Sequence, residues 1–419
     1  MQVRRRNHKW KSKFLSFAGR RQLIISVLQS MQLYWMSVFI LPSGVVHDLE
    51  ALFRSFLWAQ GDRVRGKCRI AWDVVCKPLH SGGLGFRRLA VWNRALVAKH
   101  LWDILSLKPT LWVRWVILHY IPNGRIWGVV PRTTWSWVFR EIFMLRTHIR
   151  QFVVHKIGDG RNTNAWFDKW LMDGSLSELI PYRRYTECGF SQHSMARDVI
   201  QVYGHHWPLS WVQYHANLQN MQIPPLDDMA TDAIKWIDVQ NNLVHFTVRV
   251  AWKSLGGAQM TIRWTKSVWF KGCIPKHGFC MWMAFHNRLP TQDRIILWKQ
   301  EPPDMKCALC EQVVDSHRHL FFTCPFSVTI WRQIKKEVDL YGFYEDWDAI
   351  VDALDPGRGP KLLIQKLALE ATVYFIWRER NRRLFQDVKK TEVHIVQGIR
   401  DVVMLRMAWK HRRSINSWL

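Results

Sequence analysis

"CALCEQVVDSHRHLFFTCPFSVTIW" (307–331) crowds three cysteines and two histidines together and closes on an apolar run. Cys307 and Cys310 form a C-x2-C pair, a spacing that lets two thiolates meet one ion from a tight turn. His319 and Cys324, separated by four residues, supply a second pair. Together they read C-x2-C-x8-H-x4-C, four ligands for tetrahedral zinc. His317 also lies in range, so the spacing leaves two histidines competing for the third place. Four protein ligands leave no open coordination position, which predicts one structural Zn2+ per chain and no catalytic metal. Thiolate ligation also stabilises the surrounding fold. The competing reading is a cluster of buried cysteines without metal. Leu320, Phe321, Phe322, Phe326, Ile330 and Trp331 could build a small core around the site, closed by Trp264, Trp269, Phe270 and Trp282. Core packing is a more economical use of these rings than stacking on bases.

The remainder of the chain is strongly basic. Among 419 residues, 60 are Lys or Arg against 33 Asp or Glu, a formal charge of +27. Such an excess favours a polyanionic partner, RNA or DNA before an anionic membrane. The charge gathers at the two ends. Residues 1–47 hold no Asp or Glu, while Arg4, Arg5, Arg6, Lys9, Lys11, Lys13, Arg20 and Arg21 crowd the start; Arg378, Arg380, Arg382 and Arg383 open a second basic run. These twelve are the candidate phosphate contacts. No secretory signal is recognisable at the basic, polar start, so an intracellular, reducing setting is expected, in nucleus or cytoplasm, where a tight Cys cluster argues for metal before disulfide. The uncharged stretch "LIISVLQSMQLYWMSVFIL" (23–41) nearly has the length of a membrane span. Gln29, Ser30, Gln32 and Ser37 lower its hydropathy, and a buried helix ending at Pro42 is the preferred reading.

Periodicity divides the chain into four consecutive regions. Residues 1–150 read as helical, with Val45, Leu49, Leu52 and Phe56 on one face and Leu89, Trp92, Leu96 and Ile104 on another. Residues 151–260 read as β-rich. "QFVVHKIGDGRNTNAWF" (151–167) suggests two strands about a Gly-Asp-Gly turn, and "WIDVQNNLVHFTVRVAWKSL" (236–255) suggests a hairpin turning on Asn241–Asn242. Residues 261–335 form the Trp-rich zinc region. Residues 336–419 form a basic helical tail, with a long helix after "DPGRGPK" (355–361) whose apolar stripe runs through Leu363, Leu367, Tyr374, Trp377 and Leu384. The fold class is therefore α+β, mainly helical.

Catalytic constellations are scarce. "GGLGF" (82–86) lacks the Lys-Ser/Thr of a phosphate loop and reads as a turn. Asp227–Asp228 is the only Asp-Asp pair, and it follows two prolines with no strand–turn–strand context for a two-metal site.

The chain resembles the C-terminal part of plant LINE-type (non-LTR) retrotransposon reverse transcriptases, over nearly its whole length. "LSFAGRRQLIISVLQSM" (15–31) is similar to the segment after the polymerase palm, and "LPSGVVHDLEALFRSFLWAQ" (41–60) and "IAWDVVCKPLHSGGLGFRRLAVWNRALVAKHLW" (70–102) to its thumb-like helical continuation. "IGDGRNTNAWFDKWL" (157–171) resembles a Gly-x-Gly…Trp-x-Asp-x-Trp element. "VWFKGCIPKHGFCMWMAFHNRLPTQDRI" (268–295) and residues 307–331 resemble the zinc-binding domain, and "FIWRERNRRLF" (375–385) a basic helix that follows it. The resemblance carries the ligands onto Cys307, Cys310, His319 and Cys324. It departs from the usual Glu-Thr or Glu-Ser at Asp315–Ser316. The family's polymerase Asp-Asp hairpin lies upstream of every matched segment, so the resemblance implies a zinc- and nucleic-acid-binding part without polymerase activity of its own. A zinc-stabilised docking module for a polymerase domain in trans, and a truncated remnant with no retained activity, are the alternatives.

Overall fold

The computed structural model describes residues 15–58, 68–121, 126–204, 206–295, 305–340, 346–354 and 359–410. The elements that organise it are α1 (Ser43–Trp58), α2 (Leu89–Leu105), α3 (Leu111–Tyr120), α4 (Trp137–Ile149), β1 (Val153–Lys156), β2 (Ala233–Ile237), β3 (Leu243–Val244), α5 (Val248–Gly256), α6 (Pro275–Phe285), α7 (Pro325–Glu337), α8 (Gly359–Gln386) and α9 (Glu392–Lys410). The fold is α+β and mainly helical, as the sequence pattern predicts. Its small antiparallel sheet has the order β1-β2-β3.

Two compact units cut across the four consecutive sequence regions. One takes residues 1–31, 49–87 and 259–419; the other takes 32–48 and 88–258. Local periodicity cannot reveal such interleaving, because it carries no information on which distant segments pair.

The second unit holds the sheet. Val153 pairs with Trp236, and Trp236 with Val244. The expected hairpin on Asn241–Asn242 forms, with Asn241 at a φ of 62°. The segment after it is helix α5 and not strand, since the Thr247 side chain caps it by accepting from the Val250 N–H. The first expected hairpin keeps only β1. Residues 158–163 leave the sheet to wrap around Asp232. Its Oδ1 accepts from the N–H groups of Gly158 (2.7 Å) and Gly160 (2.9 Å), and its Oδ2 from the Asn162 N–H (3.0 Å) and the Thr163 hydroxyl (2.9 Å). Glycine is required at 158, where a Cβ would stand 2.4 Å from the Ala230 carbonyl oxygen.

Burial opposes the charged form of Asp232, but the bonds from Gly158, Gly160, Thr163 and Asn162 outweigh it and hold the carboxyl below its ordinary value. A depressed folded pKa gives stabilisation that is complete above the unfolded value and lost as pH falls through the folded one. Asp232→Asn should therefore cost about 1–3 kcal/mol at neutral pH and flatten the loss of stability below about pH 4. Urea melts of both proteins across that range measure this.

Large aromatic side chains supply the cores. Trp236 is fully buried and donates its indole N–H to Ser254 Oγ (3.0 Å). Trp166, Trp170, Trp207 and Trp211 lie in one cluster with Tyr185. In the first unit Trp282 is fully buried and donates to the Gly82 carbonyl (2.8 Å), so "GGLGF" is a packed turn.

Two phase assignments change. Helix α1 buries Val46, Glu50, Phe53 and Leu57, while Val45 is exposed. Phe56 of the expected face is buried as well, and the buried side includes a carboxylate, Glu50, which accepts from the Trp72 indole (3.1 Å). The uncharged stretch 23–41 is not one helix. It divides into a π-helical turn Ile24–Leu28 and a short helix Leu33–Val38. The Asn93 amide then holds the exit from Leu33–Val38, donating to the Met36 and Phe39 carbonyls and accepting from the Leu41 N–H. Among the described residues no helix is long and apolar enough to cross a membrane.

Candidate metal centre

Residues 305–315 form a narrow hairpin. Lys306 and Val314 bridge in antiparallel fashion, and the Asp315 N–H donates to the Met305 carbonyl (2.8 Å). At its tip the Cys307 N–H donates to Val313 O and the Glu311 N–H to Cys307 O, both at 2.7 Å. Glu311 takes a left-handed φ of 59° to close the turn. This knuckle presents Cys307 and Cys310 from a single loop.

The second pair comes from a helix start. Ser316 Oγ accepts from the His319 N–H (3.2 Å), as an N-cap hydroxyl does. The backbone then winds as a π-helical turn, His319–Thr323, closed by the Cys324 N–H on the His319 carbonyl (2.7 Å). An i→i+5 turn sets His319 and Cys324 at its two ends. Cys324 is also the N-cap of α7, and Pro325 fills the first helical position.

The four ligand atoms of Cys307, Cys310, His319 and Cys324 all lie within 4.8 Å of one another. Cys307 Sγ stands 4.0 Å from Cys324 Sγ, and Cys310 Sγ 3.2 Å from His319 Nε2. A tetrahedral zinc with ~2.3 Å Zn–S bonds needs sulfur–sulfur edges of about 3.8 Å. The donor set and its spacing fit that ion. The other imidazole nitrogen, His319 Nδ1, is 3.2 Å from Thr323 Oγ1, which fixes the ring so that Nε2 faces the sulfurs. Backbone N–H groups of Leu309 and Cys310 point at the Cys307 sulfur, and those of Phe326 and Ser327 at Cys324. The hydrogen bond between the two thiols raises Cys307, with burial adding to it, and lowers Cys324. Burial lowers His319, keeping the imidazole neutral as ligation requires. His317 stands outside the cluster, with Nε2 on the Leu289 carbonyl (2.9 Å).

The sequence pattern gave no sign of what supports this centre. Asp315 and Arg380 are both buried and form an ion pair. Asp315 Oδ2 accepts from Arg380 Nε (3.1 Å), from Arg380 Nη2, and from the Gln292 N–H (2.9 Å). Arg383 donates to the carbonyl of Leu309, between the two knuckle cysteines (3.0 Å), and lies over the Phe326 ring. The fully buried Glu379 holds Arg382 (2.8 Å) and Arg383 (3.1 Å). Of the arginines expected at phosphates, Arg380 is thus held on Asp315 and Arg383 on the knuckle carbonyl, while Arg382 pairs with Glu379. Val373, Ile376, Arg380 and Arg383 recur at spacings of three and four on α8, so the arginines continue an apolar stripe; only the position of Asp315, 65 residues away, reveals why. Arg20 is likewise buried beside the Leu57 carbonyl, and Arg21 donates to Leu84 O (2.8 Å) with its guanidinium over Trp269. Arg378 is exposed. Arg4, Arg5, Arg6, Lys9, Lys11 and Lys13 lie outside the described residues.

Residues 246–331 match the family described as zinc-binding in reverse transcriptase. An Arabidopsis thaliana protein provisionally named a ribonuclease H protein is 25% identical over 413 residues, an alignment covering 91% of this chain and 63% of that one. The chain thus spans less than two thirds of that relative's length. An uncharacterised mitochondrial protein of the same plant is 32% identical over 145 residues, covering 34% of this chain and 94% of the relative. The matched domain contains all four clustered ligands, and the likeness to plant proteins runs far beyond it on both sides. The chain belongs to the plant LINE-type reverse-transcriptase family and carries its zinc-binding domain.

Proposed function

We propose that the chain is a nucleic-acid-binding part of a retrotransposon reverse transcriptase, in which one structural zinc at Cys307, Cys310, His319 and Cys324 rigidifies a basic surface and no polymerase chemistry takes place. The observation that carries the reading is the +27 charge. In the unit that holds the knuckle, Lys276, Arg288, Arg318, Arg332 and Arg378 are exposed. Lys276 and Arg378 both act on His277, which burial first and these two charges next push down to about 3. Two cations that raise the local potential at one imidazole also attract phosphate. The single Asp-Asp pair is poorly suited to a two-metal site: Asp228 pairs with Arg197 (2.5 Å), and the Asp227 carboxylate accepts from the Met229 N–H.

Filter binding of single-stranded RNA and DNA between about 50 and 200 mM salt tests this. Affinity should fall about a thousandfold over that range, as for six or more phosphate contacts, with little sequence preference. Arg378→Ala should reduce the salt slope by about one. Affinity that ignores salt would overturn the reading. A chain that stays off nucleic acid but binds a palm-containing polymerase domain would instead favour protein docking, to which the exposed stripe Leu111, Trp115 and Leu118 on α3 points.

A further inference from the structure

Helix α8 has two unlike sides. Ile376, Glu379 and Arg380 turn inward and are buried, with Arg380 paired to Asp315. Tyr374, Arg378, Asn381 and Phe385, at spacings of four, three and four, form one stripe on the other side. Phe385 ends that stripe with 75% of its surface exposed. Leu384 and Val388, next to it in sequence, are exposed as well. A large ring ordinarily retreats from water, and contiguous exposed apolar groups mark a contact surface.

The rest of the stripe is bordered by cations. Arg378 is exposed two turns before Phe385, about 10 Å along the axis. Lys276, in the first turn of α6, is exposed too, with Nζ 5.3 Å from the Tyr374 ring centroid. His277 stacks on the same ring at 4.3 Å, which holds α6 against this part of α8. Of the carboxylates nearby, Glu379 is buried on Arg382 and Arg383, Glu311 pairs with Lys389 (2.7 Å), and Asp387 is exposed past the helix end. An exposed ring beside exposed cations suits a ligand with flat π-faces and negative charges at regular intervals. A single strand offers both, because its bases are unpaired and each has a π-face. A duplex keeps its bases within the stack. A protein partner would have to desolvate Arg378 and Lys276 together with the ring.

We propose that this face of α8 is a stacking surface for single-stranded nucleic acid, in which Phe385 carries one unpaired base while Arg378 and Lys276 hold phosphates of the same strand. The proposal rests on the nucleic-acid reading above and narrows it to single strands. About three nucleotides at ~3.4 Å each bridge Arg378 and Phe385.

The test uses the full chain and three probes of equal length at fixed salt: a ten-nucleotide single strand, an abasic phosphodiester and a duplex. Phe385→Ala should weaken the single strand about tenfold and leave the abasic backbone and the duplex unchanged. Phe385→Trp should keep wild-type affinity or exceed it, since the larger ring also stacks. Arg378→Ala should instead weaken all three probes and lower their salt slopes by about one. The denaturant midpoint of Phe385→Ala should match the wild type, because the ring is already in water. Wild-type binding that depends on salt but is unmoved by Phe385→Ala would overturn the stacking surface and leave the phosphate reading standing. A loss shared equally by all three probes would overturn it as well. A wild-type chain that binds none of them would sink the phosphate reading and the stacking surface with it. Capture of a palm-containing polymerase domain, abolished by Phe385→Ala, would then assign this face to protein docking.

Discussion

Replacing Cys307 and Cys310 together with serine should reduce the zinc content of the purified chain from one ion to none and unfold the region around the knuckle. The effect should be the largest of any substitution considered for this protein. Structural zinc sites contribute apparent free energies of about 10–16 kcal/mol in small zinc-finger peptides. The site here unites a hairpin, a π-helical turn and the start of α7, each of which presents a ligand or caps one. Elemental analysis gives the stoichiometry, and amide exchange across residues 305–340 reports the local fold. His319→Ala should lose the ion as well, whereas His319→Cys should keep it, because a four-sulfur set suits zinc equally. His317→Ala should keep it too, since His317 faces the Leu289 carbonyl. A folded wild-type chain without zinc would defeat the reading and leave the cluster as packed thiols.

The second large effect is expected at Arg380. Arg380→Met should destabilise the chain by about 3–5 kcal/mol, the cost of breaking a buried ion pair from one side. It strands Asp315, whose Oδ2 would then keep only the Gln292 N–H. Asp315→Asn should cost a similar amount, and the double substitution less than the sum, because each change removes the same interaction. Arg378→Met on the same helix is the contrast. Its side chain is exposed, so stability should move by no more than about 0.5 kcal/mol while nucleic-acid affinity falls. Denaturant midpoints and salt slopes for the two variants separate the roles. An Arg380→Met protein of native stability that binds RNA less well would return Arg380 to the phosphate surface.

The cysteine–histidine cluster was legible because ligation chemistry is local. A C-x2-C knuckle and an H-x4-C turn must each fit within a few residues, and the donor types are few. The choice between His317 and His319 was not settled by spacing, since either could reach. In the structure His319 lies in the cluster, its N–H on the Ser316 hydroxyl, while His317 points to Leu289. The helices were legible for a similar reason: a period of 3.6 needs no knowledge of the partner.

The roles of the arginines could not be read in the same way. A guanidinium on a helix looks alike whether it meets a phosphate or a carboxylate, and Asp315 stands 65 positions from Arg380 in the chain. Glu50 in the buried face of α1, and Asp232 at the hub of the Gly-Asp-Gly loop, are hidden for the same reason. The sequence by itself determined the cysteine–histidine cluster, the helical character and the excess of positive charge, each a property of composition or short spacing. Only the tertiary structure decided which charges are held inside and which face solvent, because a buried ion pair is defined by two distant segments and by the exclusion of water between them.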